Sequence, residues 1–392
     1  MREVVILSAV RTPIGRFLGG LSTVPAPRLG AVAIKAALER AGVAPDQVDE
    51  VIMGNVLSAG IGQAPARQAA MAAGVPETVP ATTVNKMCGS GLKSVMLAAQ
   101  AIQSGDADIV VAGGMESMSL APYLLDRART GYRYGDGAVV DSLLRDGLID
   151  AYKKIHMGSC CELLNREYRF TREEQDAYAV QSYKRTLAAM DEGKFAAELV
   201  PVEIPQSRDG QVKVAEDEEP RRVNFEKLPT LPPAFDSDGT VTAANSSSIS
   251  DGAAAAVVAA ADVAKRLNAK PLARVVGQAG AAGAPEWFTV QPSAAIRRLL
   301  HKINWALNEV DLLEINEAFA SVVLAAIRDL ELNPDRVNVH GGAVALGHPV
   351  GASGTRLLAT LLHAMERYGR RRGIASACLG GGEAVALAVE RV

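Results

Sequence analysis

Ala81-Thr82-Thr83-Val84-Asn85-Lys86-Met87-Cys88-Gly89-Ser90-Gly91-Leu92-Lys93-Ser94-Val95 is the stretch on which the reading of this chain turns. A short β-prone run ends at a lone thiol. Two glycines bracket a serine behind it, and an Ala/Leu/Met-rich run of helical period continues to about Ser104. Cys88 therefore falls on a strand-to-helix turn. There the free N–H groups of the first helical turn, with the helix dipole, favour a negative sulfur and are expected to lower the thiol pKa from roughly 8.5. Gly89 and Gly91 are expected to leave the turn bare, so that a large substrate reaches the sulfur and backbone N–H groups face a developing oxyanion. The same letters also suit a buried cysteine among small neighbours, placed for close helix–strand packing. The choice between the two depends on the far end of the chain.

Outward from this turn the chain alternates between β and α patterns. Upstream, residues 3–8 read as a strand, the turn-rich Arg11-Thr12-Pro13-Ile14-Gly15 as a loop, 27–41 as a helix, 48–54 as a strand and 63–73 as a helix. Downstream, 108–112 is an apolar strand running into Gly113-Gly114-Met115-Glu116-Ser117. The alternation predicts an α/β layer with a mostly parallel sheet. From about 120 to 250 the chain is richer in charge and proline, with a helical block at 172–192 and an acidic run at 216–219, and reads as an insertion. The alanine-rich run 252–261 is too short to span a bilayer and predicts a core helix.

From about Pro271 the alternation resumes, and the sequence repeats itself. Ala33-Ile34-Lys35-Ala36-Ala37-Leu38 with Val48-Asp49 aligns on Ala295-Ile296-Arg297-Arg298-Leu299-Leu300 with Val310-Asp311 at an offset of 262 residues. At an offset of 263, Ser90-Gly91-Leu92 falls on Ser353-Gly354-Thr355, each opening a helix. Such a repeat predicts two similar α/β halves, with catalytic groups where the strand ends of the halves meet.

Composition narrows the function. The chain has 392 residues, 48% of them hydrophobic, enough for large cores. A net charge of -3 without an extended basic run gives no footprint for nucleic acid or an anionic membrane, so a phosphate-bearing ligand must be held locally. The four cysteines, Cys88, Cys160, Cys161 and Cys378, show no metal-like C-x-x-C spacing. Adjacent Cys160 and Cys161 are poor disulfide candidates. The N-terminal residues enter a strand without signal- or transit-peptide character, so the expected location is a reducing, cytoplasmic one.

Three further motifs could do chemistry. Leu313-Glu314-Ile315-Asn316-Glu317-Ala318-Phe319 places an amide where a buried strand meets a helix; Asn316 could hold a water, donate to a carbonyl oxygen, or cap the helix. His340-Gly341-Gly342-Ala343-Val344-Ala345-Leu346-Gly347-His348-Pro349 ends in an imidazole that could take a thiol proton, stabilise an oxyanion, or be structural. Cys378, before Leu379-Gly380-Gly381-Gly382, ends an apolar strand and is either an inert buried thiol or a second reactive sulfur. Taken together, two thiols on glycine-rich turns, an imidazole and an amide, at equivalent places in a duplicated scaffold, favour chemistry over packing: one thiol could carry an acyl group and the other could move a proton at carbon.

Asn85-Lys86-Met87-Cys88-Gly89-Ser90-Gly91, Asn316-Glu317-Ala318-Phe319, Gly347-His348-Pro349 and Cys378-Leu379-Gly380 resemble the four signature blocks of the thiolases, in the same order. The resemblance covers nearly the whole chain. It implies a five-layered α/β/α/β/α fold of two similar halves: an N-terminal half at 1–119 completed by 250–270, a loop domain at 120–249 that receives coenzyme A and makes oligomer contacts, and a C-terminal half at 271–392. By the same resemblance Cys88 is the acylated nucleophile, His348 its base, and Cys378 the acid/base at the α-carbon. Asn316, through a water, and His348 form one oxyanion hole, and the N–H groups of Cys88 and Gly380 a second. His156, Met157, Arg221, Phe235, Ala243, Ser247, Ala318 and Phe319 are implied contacts of the substrate and coenzyme A.

The implied reaction is a ping-pong condensation of two acetyl-CoA to acetoacetyl-CoA and CoA, or its reverse, with no metal and no cofactor beyond the thioester substrates. The Lys154-Ile155-His156-Met157-Gly158 segment resembles short-chain members; a degradative 3-ketoacyl-CoA thiolase of longer acyl range is the alternative. A dimer or a dimer of dimers is implied, a homotetramer being expected, with residues 120–144 similar to a tetramerisation loop. The chain departs from the family pattern at Ser248, where glycine is common, and at Cys160-Cys161, where smaller or acidic residues are usual.

Overall fold

The computed structural model describes residues 2–205 and 211–392. Nine strands form one continuous path, in the order Leu312–Ile315, Arg372–Leu379, Glu383–Glu390, Ala273–Ala282, Val4–Arg11, Ser250–Ala260, Ile109–Ser117, Glu50–Gly54, Ala81–Val84. Each half repeats one plan: its first strand pairs antiparallel with its last, the last antiparallel with the one before it, and that one parallel with the second strand. The halves join at the pairs Val5↔Arg274 and Ile6↔Ala273. Between them lie two helices, Ser90–Ser104 and Ser353–Arg367, packed on each other and on strands of both halves. Helices Ala26–Ala41 and Pro65–Ala72 cover the outside of one half, and Gln291–Ile303 and Ala320–Leu330 the outside of the other. The architecture is thus five-layered, α/β/α/β/α.

Two expectations fail here. The sheet is mixed rather than mostly parallel: only Glu50–Gly54 with its two neighbours and Leu312–Ile315 with Arg372–Leu379 pair in parallel. Arg372–Leu379 turns straight back into Glu383–Glu390 through Gly380-Gly381-Gly382, where φ is +91° at Gly381 and +79° at Gly382, a hairpin that forces antiparallel pairing. The alanine-rich run is the strand Ser250–Ala260, not a helix. All its residues are buried, with helices of two layers against it. An uninterrupted apolar run has no period to separate strand from helix, and burial on both faces overrides alanine's helical preference.

The central helix pair explains two glycines. A side chain at Gly91 would meet the Thr355 backbone nitrogen at 2.8 Å, and one at Gly354 would meet that of Leu92 at 2.3 Å. The Thr355 hydroxyl donates to the Gly91 carbonyl at 2.8 Å. These glycines let the two helices touch across the pseudo-symmetry axis; they do not open the turn to substrate.

Residues 118–249 carry elements outside the sheet, among them the helices Met157–Tyr168 and Arg172–Asp191. The second is started by a capping box, in which Thr171 and Glu174 each accept the other's backbone N–H. A buried ion cluster ties this segment to the first strand: Arg11 donates to Glu198 at 2.6 Å and to both oxygens of Asp217 at 2.7 and 2.9 Å. Among the described residues no helix is long and apolar enough to cross a membrane.

Candidate active site

The thiol sits on a strained turn. Strand Ala81–Val84 ends, Met87 takes a left-handed φ of +48°, and the helix opens at Ser90. Side chains hold the bend: Asn85 accepts the Met87 N–H at 3.0 Å, while Ser90 accepts the Lys86 N–H at 2.8 Å and donates to the Met87 carbonyl at 2.6 Å. Gly89 is required because a side chain there would meet Leu379 at 2.6 Å. Gly89, like Gly91, therefore serves close approach of the two halves rather than substrate access.

His348 reaches the same place from the other half. Gly347 has φ +105°, and a side chain there would strike the Ser250 hydroxyl at 2.2 Å, so only glycine makes this turn. The His348 N–H donates to the Ser248 carbonyl at 3.1 Å. Its ring Nδ1 lies 2.6 Å from the Ser353 hydroxyl, which in turn donates to the Pro349 carbonyl at 2.9 Å. With that hydroxyl proton committed, Nδ1 carries the ring proton and Nε2 is the bare nitrogen, 3.3 Å from the Asn316 amide nitrogen. Burial, then the charge of Arg356, lowers the His348 pKa to about 3, so the ring is neutral. Ser353 entered the sequence reading only as the opening of a helix; a serine five residues after a histidine gives no signal of this contact.

Cys88, His348 and Gly380 share the wall of one cavity of about 340 Å³. The backbone N–H groups of Gly380 and of Cys88 itself act on the Cys88 sulfur, favouring its charged form. Cys378 lies behind that wall, fully buried with Met157, Cys161, Ala318 and Phe319. Burial first, then the charge of Cys88, pushes the Cys378 thiol well above its ordinary range. Asn316 is buried, and its amide oxygen has no protein donor.

The expected lowering of the Cys88 pKa does not occur. Burial raises it to about 11; the Gly380 and Cys88 N–H groups pull it down by less, and the nearby charge of Glu116 raises it further. In the resting site a neutral thiol therefore faces a neutral imidazole, and ionisation waits for proton transfer. Alkylation of Cys88 by iodoacetamide should accordingly be slow at pH 7 and rise about tenfold per pH unit towards pH 11, since only the thiolate reacts. A plateau near pH 7 would show a preformed thiolate–imidazolium pair instead.

The cavity is also walled by His156, Met157, Phe235, Ala243, Ser247, Ala318 and Phe319. His156 and Phe235 stack with centroids 4.7 Å apart, and Phe319 meets Phe235 edge-on at 6.1 Å. The Ser247 hydroxyl donates to the Ala318 carbonyl at 2.9 Å, leaving its lone pairs for a ligand donor. Arg221 is the exception: it pairs with Asp191 at 3.0 Å and Glu216 at 3.4 Å and is not part of this wall. Leu148, Phe288, Ile249 and Val350 also line it, and the sequence did not point to them. Phe288, an aromatic in a chain with 4% aromatics, was the one available signal. A larger cavity of about 550 Å³ lies beside Pro27, Ile61 and Leu120 and holds neither thiol nor imidazole.

Of the departures from the family pattern, Ser248 lines the cavity and Cys160 and Cys161 are packed away. Ser248 places its hydroxyl 3.2 Å from that of Ser250. Cys160 and Cys161 are fully buried, and burial pushes the first up to about 12 and the second higher still. Glu317 is buried and accepts from Tyr178, Ser182, Asn338 and the Val344 N–H, at 2.7 to 3.0 Å, which fixes the loop that leads to His348.

The two thiols are not at equivalent places. The offset of 263 that matches Ser90 to Ser353 matches Cys88 to Gly351 and Cys378 to Met115. Strand pairing agrees, with Met53↔Gly113 in one half and Ile315↔Ser376 in the other. At the mirrored position the Gly351 N–H donates to Glu116 at 2.9 Å.

Comparison with known proteins fits this geometry. The family model described as "Thiolase, N-terminal domain" matches residues 4–262, and "Thiolase, C-terminal domain" matches 269–391. The chain is 54% identical to an acetyl-CoA acetyltransferase of Cupriavidus necator over 392 residues, all of both proteins. It is 49% identical to the mitochondrial acetyl-CoA acetyltransferase of Homo sapiens, covering all of this chain and 91% of that one. Its fold is similar to the crystal structure of the Bacillus anthracis acetyl-CoA acetyltransferase, with a TM-score of 0.98 at 43% identity over 100% and 99% of the two chains. It is also similar to the Acat5 thiolase from Ascaris suum in complex with coenzyme A, with a TM-score of 0.94 at 46% identity over the whole of both.

Proposed function

Because the chain belongs to the thiolase family, we propose that it joins two acetyl-CoA into acetoacetyl-CoA, and runs the reverse thiolysis, with Cys88 as the acyl carrier. It is an acyltransferase, an acetyl-CoA C-acetyltransferase acting on coenzyme A thioesters. The observation that supports the assignment of roles is the meeting of groups from both halves in one cavity, lined by Cys88 from the first and by His348 and Gly380 from the second.

In this reading the bare Nε2 of His348 takes the Cys88 proton as the sulfur attacks the thioester carbonyl. The oxyanion is met by donors already in place. The Cys88 and Gly380 N–H groups serve one intermediate; His348, with a water held by Asn316, serves the other. A donor of this kind typically supplies about 2.7–4 kcal/mol. The departing CoA thiolate takes the proton of the Cys378 thiol; the Cys378 thiolate so formed removes an α-proton from a second acetyl-CoA, whose carbanion attacks the acetyl group on Cys88, and the Cys88 sulfur leaves with the proton held by His348. His156, Met157, Phe235, Ala243, Ser247, Ala318 and Phe319 form the tunnel for the acyl and pantetheine parts. Arg221, at 48% side-chain exposure and shared between two carboxylates, is proposed only for the nucleotide end.

The domain division at 1–119 with 250–270, 120–249 and 271–392, the cytoplasmic location and the homotetramer belong to the same proposal. Exposed Leu120, Tyr123, Leu125 and Val139 support an oligomer contact made by residues 120–144. Short-chain preference follows from a wall that contains Met157, Phe235, Phe288 and Phe319 around about 340 Å³. The kcat/KM for thiolysis should be at least about tenfold higher for acetoacetyl-CoA than for a C8 3-ketoacyl-CoA, since a rigid wall rejects added methylenes at roughly 1–3 kcal/mol each. Equal or greater efficiency with the C8 substrate would favour the degradative, longer-chain reading.

A further inference from the structure

The helix Met157–Tyr168 begins in the tunnel wall, with His156 as its N-cap and Met157 as its first residue. One face of it, at spacings of three and four residues, is directed at the segment 235–241. Ser159 donates to Asp236 at 2.8 Å, and Arg166 donates to the other oxygen of Asp236 at 2.6 Å. Asn165 donates to the Thr240 hydroxyl at 3.0 Å. At the centre of this face Glu162, 2% exposed, accepts the backbone N–H groups of Thr240 and Val241 on one oxygen, both at 2.7 Å, and the Thr240 hydroxyl on the other at 3.1 Å. A side chain at Gly239 would lie 2.3 Å from that carboxylate, so the loop closes on Glu162 with no room to spare.

Phe235, at the start of the clamped segment, and Ala243, Ser246 and Ser247, just after it, line the cavity, as do His156 and Met157 at the start of the helix. Glu162 thus joins the two walls without touching the cavity. We propose that Glu162 is a positioning residue for the thiol carrier of the substrate: it sets the spacing of the tunnel walls and so governs recognition of the pantetheine arm, not the chemistry at Cys88. A charged acceptor suits the task, because two backbone donors converging on one buried carboxylate oxygen form short, strong bonds that a neutral neighbour would not match. The inference rests on the reading of this cavity as the pantetheine tunnel.

The test compares acetylation of Cys88 by acetyl-CoA and by S-acetyl-N-acetylcysteamine, which keeps the thioester and lacks most of the arm, in wild type, Glu162→Ala and Glu162→Gln. For Glu162→Ala the second-order rate with acetyl-CoA should fall at least about tenfold while that with the truncated thioester stays within about twofold. Glu162→Gln retains an acceptor for the two N–H groups and should lose about threefold, again with acetyl-CoA only. If Glu162→Ala does not fold, the Glu162→Gln selectivity decides alone. An equal fall for both thioesters, or no fall for either, overturns the proposal. A wild-type enzyme that does not prefer acetyl-CoA to the truncated thioester would instead overturn the tunnel reading on which it rests.

Discussion

Cys88→Ser is expected to form no acetyl-enzyme on mixing with acetyl-CoA, and to lose at least about a thousandfold in turnover. The substitution is nearly isosteric, and the turn that presents residue 88 is held by Asn85 and Ser90, so the fold survives. What changes is the proton. A thiol raised to about 11 by burial is still within reach of a neutral imidazole acting as the bond forms. A hydroxyl, far less acidic and subject to the same burial, is not. Intact-protein mass spectrometry reads the outcome directly. An acetyl adduct on the variant at the wild-type rate, or a wild-type adduct on any residue other than Cys88, would sink the assignment.

Cys378→Ala should separate the two halves of the reaction. Acetylation of Cys88 is expected to stay within about threefold of wild type, and condensation to fall by about 10²–10⁴, the range supplied by a positioned acid or base. The separation follows from the proposed roles, since acylation uses Cys88, His348 and Gly380, which line the cavity, whereas Cys378 is needed only to move the α-proton. Burial holds the Cys378 thiol above its usual range, so it rests protonated and becomes a base only after giving up its proton. Measuring acyl-enzyme formation and acetoacetyl-CoA formation in the same preparation checks this. Normal condensation by Cys378→Ala would remove its proposed role.

The strand–turn–helix around Cys88 was legible because each signal there is local: β-prone residues, small residues at the bend, helical period after it. The repeat was legible from a few identities, and the strand order of the two halves bears it out. Three features were not. The alanine-rich strand Ser250–Ala260 has no period, and only burial between two helical layers fixes it. The direction of the thiol's pKa depended on burial in the folded chain, which outweighs the helix terminus. The glycines at 89 and 91 proclaimed small size, but what they face, Leu379 and Thr355, is some 260 to 290 residues away in the chain.

The mirrored position adds a matter of stoichiometry. A duplicated scaffold has room in principle for a pair of reaction centres, yet the counterpart of Cys88 is Gly351, held by Glu116, and the counterpart of Cys378 is Met115. On the proposed roles, sulfur nucleophile and proton carrier are both missing from the second location, so each polypeptide should take up a single acetyl equivalent, with its symmetric twin left as scaffold.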